Sequence, residues 1–232
     1  MKRFYKVAQV VGDESGGFSL TLDGRPVKTP GRNELLVPMR GLAEAICAEW
    51  DAQTGEVDPG QMPLMRFTAT AIDRVAAHRE AVIDEIAGFG ASDLLCHRAE
   101  TPADLVLRQQ TTWQPLLDWA EAELGAGFVV TAGIMPVDQP EAALAAVRAA
   151  TEGRSDLTLS GLHGVTSATG SVVIGLAVAE GYLEAPAAWE ASQIDEAFQV
   201  ERWGEDEEAA ERRAGLKAEL EEAVRFLRLC ES

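Results

Sequence analysis

Histidine, cysteine and basic residues are scarce in this chain, and each shortage removes a class of chemistry. The three histidines, His78, His97 and His163, stand far apart, and nothing resembles HExxH or another local metal pattern. The three cysteines, Cys47, Cys96 and Cys230, are odd in number, widely spaced and without a CxxC pair. Neither a disulfide framework nor a zinc ribbon fits that spacing, whereas a reducing compartment does. Cys96-His97 is the one adjacent pair of soft ligands. Adjacent side chains on a strand or helix point apart, so the pair reads as a packed cysteine beside a surface histidine. Basic residues number 20 against 38 acidic ones, a formal net charge of −18. Such a field repels phosphate backbones and anionic lipid, which argues against nucleic-acid and membrane partners, and it tolerates a basic or amphipathic protein. The same acidity also maintains solubility.

Long apolar runs are missing as well. SVVIGLAVA, Ser171 to Ala179, is the most apolar stretch, far short of the roughly 20 residues that cross a bilayer. MKRFYKVAQV enters strand-like alternation at once, with neither the apolar block of a signal peptide nor a Ser/Arg-rich transit segment. The expectation is a cytoplasmic chain, or the processed form of a mitochondrial matrix protein, with no membrane insertion. Nucleotide signals are equally thin. Gly88-Phe89-Gly90 lacks the third glycine of a dinucleotide fingerprint, and no GxxxxGK[ST] or GxSxG occurs. GLHGVTSATGS, Gly161 to Ser171, has two readings, a phosphate cradle without lysine or a junction between helices. Carboxylates are plentiful, so a small carboxylate-dependent hydrolase or isomerase stands as the enzymatic alternative, although most of them lie in charged helices where solvation is the default.

What is present begins with β-structure. Phe4, Val7 and Val10 lie in a stretch of β-formers, and Asp23-Gly24 separates two strand-like runs. Asp-Gly suits a two-residue turn whose central positions both need positive φ. Glu34 to Pro38 reads as a further short strand. From Gly41 the period changes, with Leu42, Ala45, Ile46, Glu49 and Trp50 at helical spacing and Trp50 on the apolar face. The segment from Val57 to Pro63 reads as a loop, followed by helices over Leu64–Val75 and His78–Phe89. Thr101-Pro102 reads as an N-cap followed by proline at the first helical position, opening a long helix that Pro115 kinks and Gly125-Ala126-Gly127 ends. Phe128 to Val137 reads as an extended return. Helices are then expected over Gln139–Ala150, Leu157–Ala179 with a break near Gly170, Pro186–Trp203 and Glu205–Leu229. The class is α+β: a small N-terminal antiparallel β-unit, residues 1–40, and a larger, mainly helical domain, residues 41–232.

Six segments then come into play in order: RFYK at Arg3, LDGRPVKTP at Leu22, AEWDAQ at Ala48, MPLMRFTATAID at Met62, DLLCHRA at Asp93 and FQVERWGED at Phe198. As an ordered set they resemble the assembly chaperones of F-type ATP synthase. That family holds the alpha subunit of the catalytic head before it joins the beta subunit, and occurs in mitochondria and alphaproteobacteria. The resemblance implies a β-rich N-terminal unit, a helical C-terminal domain, an alpha-subunit client, no cofactor and no enzymatic step. The family pattern also keeps an acid at the place of Glu196, followed by an aromatic, Gln, an aliphatic residue and Trp-Gly, matched here by Phe198, Gln199, Val200 and Trp203-Gly204.

On one continuous helix, Trp189, Gln193, Glu196, Val200 and Trp203 fall at spacings of 4, 3, 4 and 3 and share a stripe. A carboxylate between aromatics needs a partner. Arg66, Arg74 or Arg108 would supply it internally, and a basic or N–H group of a client would supply it from outside. Phe198 and Trp203 read as core aromatics before contact residues, and Asp51 as a residue that caps or binds. The candidate partner-binding set is therefore Glu196, Gln193, Phe198, Gln199, Trp203 and Asp51. An enzyme would present a deep pocket with convergent polar groups, and a chaperone a broad apolar patch with a polar rim.

Overall fold

The computed structural model describes residues 2–14, 16–133 and 137–231. Strands β1 (Ala8–Gly12) and β2 (Phe18–Leu22) pair antiparallel, with Ala8 opposite Leu22 and Gly12 opposite Phe18. The chain then turns at Asp23 and Gly24, whose φ values are 49° and 79°, into β3 (Arg25–Pro26). Both positive angles meet the requirement that made Asp-Gly a hairpin signal. The Asp23 carboxylate also accepts from the amides of Lys6 and Val7. Strand β4 (Leu36–Val37) pairs with β2, leaving β2 central. Its inward residues Leu20 and Val37, like Leu35, are fully buried. Helix α1 (Arg40–Asp51) packs its apolar stripe of Leu42, Ala43 and Ile46 on this sheet. Together these elements bear out the α+β reading.

By compactness the chain forms two units, Met1–Arg79 with Ser155–Gly161 and Arg225–Ser232, and Glu80–Arg154 with Leu162–Val224. In the first unit, carboxylates tie the elements together. Glu49 on α1 is buried and accepts from the amides of Leu64 and Met65 at 2.8 and 2.9 Å, capping helix α2 (Pro63–Thr70) from outside. Pro63, expected to end a loop, opens this helix, because the first helical position needs no N–H. A π-turn over Ala71–Val75 continues α2 and presents Asp73 to Thr29, Gly31 and Asn33 at 2.6 to 2.8 Å. Desolvation raises the proton affinity of Asp73, but those hydrogen bonds outweigh it and hold the carboxyl below its ordinary range. Phe67 stacks on Phe226 at 5.2 Å.

The second unit is built around α7 (Val172–Ala179), all eight of whose residues are buried. A helix apolar on every side is stable only inside such a shell. Helix α6 (Asp156–Thr169) precedes it, and Gly170, at φ 69°, makes the expected break. Ser171 then caps α7 by accepting from Ile174 N–H. The Gly/Ser/Thr-rich segment is thus the junction between helices. Helix α4 (Ala103–Leu124) packs on α7, with Trp113 fully buried and its indole N–H donating to the Ala191 carbonyl at 2.7 Å. The helix starts one residue later than expected. The Thr101-Pro102 bond is cis and Pro102, extended at φ −79° and ψ 164°, occupies the N-cap itself. Gly125, at φ 72°, ends α4 as read. Helices α3 (Arg79–Gly88) and α5 (Glu141–Glu152) lie close to expectation. The extended segment yields β6 (Thr131–Ala132), which pairs in parallel with β5 (His97–Arg98); residues 134–136 of that segment lie outside the described residues.

Candidate functional site: the helix α9 surface

The single helix expected over Pro186–Trp203 is two helices, α8 (Ala185–Ser192) and α9 (Ile194–Trp203). Gln193, at φ −113° and ψ 14°, leaves the helical region between them. Two local bonds close α8 early: Ser192 Oγ donates to the Trp189 carbonyl at 2.9 Å and the Gln193 amide to Glu190 at 3.3 Å. Side-chain bonding of this kind competes with helix continuation. Asp195 and Glu196 fall in the first turn of α9 and Arg202 in its last, matching the helix dipole at both ends. Gly204, at φ 79° and ψ 176°, then turns the chain toward α10 (Glu207–Cys230), a conformation closed to other residues. The Asp206 carboxylate accepts from Ala209 N–H at 2.9 Å before α10 begins.

The break divides the expected stripe. Trp189 faces a groove with Leu107, Leu116 and Ile194, whereas Glu196, Val200 and Trp203 face another; among the described residues only Gln193, and Arg213 of α10, line both. Phe198 and Trp203, read alike in the sequence, have opposite fates. They lie five positions apart, about 140° around a helix. Phe198 is 4% exposed, and two guanidinium groups lie over its ring, Arg202 at 4.3 Å and Arg108 at 5.4 Å from the ring centre. Trp203 is 75% exposed, which corrects the core reading for that residue. Glu196 and Gln199 are exposed too, and Gln193 is buried. The internal arginine that stood as one of two alternatives for Glu196 is not found among the described residues. Arg108 instead grips Glu201 through both oxygens at 2.8 and 2.7 Å. Gln193 Oε1 is buried without a donor.

Three grooves flank α9, of about 760, 580 and 420 Å³. The smallest brings together Gln193, Glu196, Gln199 and Trp203, while Phe198, Gln199 and Trp203 also line the middle one. Asp51 belongs to the first compact unit, where its carboxylate lies 3.4 Å from the Ala8 amide and 3.8 Å from Arg3. Arg98, Gln109 and Asp195, all lining the middle groove, escaped the sequence reading. Arg98 stands in DLLCHRA, where no periodicity distinguishes a buried arginine from a solvated one.

Ion pairs set the proton affinity of two carboxylates on and beside α9. Hydrogen bonds from Arg108 hold Glu201 below its ordinary range, and Arg202 outweighs desolvation to do the same for Asp104. Asp93, pushed up to about 6 by burial, is wholly enclosed and accepts from the amides of Leu95 and Val173, so it braces the fold. Burial pushes the Cys96 and Cys230 thiols up to about 12, far from nucleophilic. Among the described residues no His, Cys, Asp and Glu group together as a metal site would require. Among the same residues no helix is long and apolar enough to cross a membrane.

Comparison with known proteins bears on the whole chain. A family model described as ATP12 chaperone protein matches residues 2–121. Protein atp12, mitochondrial, of Schizosaccharomyces pombe is 26% identical over 210 residues, covering 85% of this chain and 72% of that protein. The crystal structure of Atp12 from Paracoccus denitrificans is 40% identical with a TM-score of 0.94, covering 99% of this chain and 98% of that one. The Atu1473 protein of Agrobacterium tumefaciens is 44% identical with a TM-score of 0.92, covering 98% of this chain and 85% of that one. The family match ends before α9, but the likeness to solved structures runs through it.

Proposed function

Because the chain belongs to the ATP12 chaperone family, the assembly chaperones of F-type ATP synthase, we propose that it captures the unassembled alpha subunit on the α9 surface. There it shields the face that the beta subunit later covers. The observation that carries this reading is Trp203, an indole three-quarters in water at the end of a well-formed helix. Large aromatics left on a surface beside grooves are the residues that anchor protein partners. Glu196, Gln193 and Gln199 share the Trp203 groove and supply polar selectivity around that anchor. Glu196 faces a basic side chain or backbone N–H of the client, in keeping with a chain of net charge −18 that favours basic surfaces.

Capture and release then exchange one covering surface for another, a step that consumes no nucleotide and involves no bond-making. The chain works in the bacterial cytoplasm, as the counterpart of the mitochondrial relative. Glu196→Lys tests the reading by co-purification with the alpha subunit expressed alone, alongside thermal melting. The expected result is loss of capture with melting nearly unchanged. Retained capture would remove Glu196 from the binding surface, and a collapse in melting temperature would assign it to the fold.

A further inference from the structure

Arg98 is an arginine that its own fold leaves incomplete. It is 8% exposed, fixed by β5, and its Nε donates to the Leu95 carbonyl at 2.9 Å. Its guanidinium lies 5.2 Å from the Trp113 ring centre. Yet Nη1 and Nη2 are both buried with no acceptor, and among the described residues no carboxylate is within ion-pair reach. A guanidinium has five N–H donors and does not shed its charge. A ring face stabilises that charge but cannot accept its in-plane hydrogens. Asp195, the carboxylate on the same groove wall, is engaged elsewhere. Its Oδ1 accepts from Gln109 Nε2 at 2.7 Å, and Gln109 Oε1 accepts from Ala99 N–H at 2.8 Å.

We propose that the groove between α9 and α4 is a second recognition site, taking a single carboxylate side chain of a protein segment onto Nη1 and Nη2 of Arg98. The two empty nitrogens form the fork that matches a carboxylate's two oxygens. Leu105 and Trp203 give the segment's aliphatic atoms apolar walls, and exposed Gln199 offers its amide at the rim. Asp195 selects among anions. A singly charged carboxylate tolerates that neighbour better than a doubly charged phosphate does. Because both nitrogens are shielded in the empty groove, its side chains shift as the carboxylate enters, as interface rotamers commonly do. The site does not depend on which subunit is the client.

The test titrates the ¹⁵N-labelled chain with N-acetyl-aspartate N-methylamide, its asparagine counterpart and inorganic phosphate, following the Arg98 Nε–H and Trp203 indole resonances. The aspartate compound is expected to shift both saturably, with roughly tenfold preference over the asparagine compound, the margin of a charged over a neutral contact. Asp195→Asn keeps the acceptor for Gln109 and removes a like charge, so it should tighten aspartate binding several-fold, a gain that no purely structural role provides. Arg98→Gln should abolish the shifts. If that variant fails to fold, Gln199→Glu at the rim should weaken aspartate binding roughly tenfold by repulsion. Equal response to acid and amide, preference for phosphate, no response at all, or no gain from Asp195→Asn would overturn the proposal.

Discussion

Certain charged side chains of the first compact unit and of the α9 surface differ in how fully the fold engages them. In the first, Glu49 receives two backbone amides, Asp73 receives three donors, and even exposed Asp51 lies beside Ala8 and Arg3. Around α9 in the second, Arg108 pairs with Glu201 and Arg202 with Asp104, but among the described residues exposed Glu196 has no ion pair, and Arg98 Nη1 and Nη2 and Gln193 Oε1 are buried without partners. Trp203 repeats the pattern in apolar terms, exposed at one end of a helix whose Phe198 is enclosed. The first unit also buries Trp50 Nε1 and Thr68 Oγ1 without partners, but those groups are neutral, whereas the α9 surface leaves the charged Arg98 guanidinium unmet at Nη1 and Nη2.

Glu49→Ala is the strongest attempt to break that contrast. It orphans two amides at the start of α2 and removes a buried carboxylate, a loss of roughly 3 kcal/mol or more at about 1.5 to 3 per bond with a charged acceptor. Denaturant titration reads it directly, and an unshifted midpoint would mean that the first unit's wiring is dispensable.

Asp93 sharpens the comparison from within the second unit, as a carboxylate there that is fully partnered. Its folded value of about 6 lies above the ordinary carboxylate value, so the folded state binds this proton more tightly than the unfolded chain does. Its contribution to stability is therefore greatest below about pH 4 and declines as pH rises to about 6, by roughly 3 kcal/mol in all. Other carboxylates titrate in the same window, so the difference between the natural chain and Asp93→Asn isolates it. Melting curves from pH 4 to 7 should fall with pH more steeply for the natural chain, and parallel curves would refute the assignment.

The smallest effects fall on the surface. Asp51→Ala should cost up to about 1 kcal/mol, the worth of an exposed pair with Arg3. Glu196→Ala should stay within about 0.5 kcal/mol, since it removes no partner in the fold. Urea midpoints measured side by side decide this, and a greater loss for Glu196 than for Asp51 would invert the contrast.

The first unit was the more legible in sequence. Asp23-Gly24 carries its turn geometry in its own chemistry, and the apolar stripe of α1 follows from spacing alone. The α9 surface was legible in membership but not in arrangement. Gln193 ends α8 through hydrogen bonds of Ser192 and of its own amide, in a segment without the glycine or proline that would announce a break. Glu196, Val200 and Trp203 share a groove as their spacing requires, but which face of α9 is enclosed depends on Arg108 and Arg202, and so on tertiary placement. Arg98 was illegible for the same reason, since burial of an arginine is decided by elements distant in sequence.

The central claim is that the surface of α9 is where the client sits, and hydrogen exchange of the full chain, alone and with the purified alpha subunit, tests it most directly. Protection is predicted to concentrate on peptides spanning residues 193–206, with the α1 segment carrying Asp51 unchanged. Unaltered exchange across α9, with protection centred on α1 or the N-terminal strands, would contradict it.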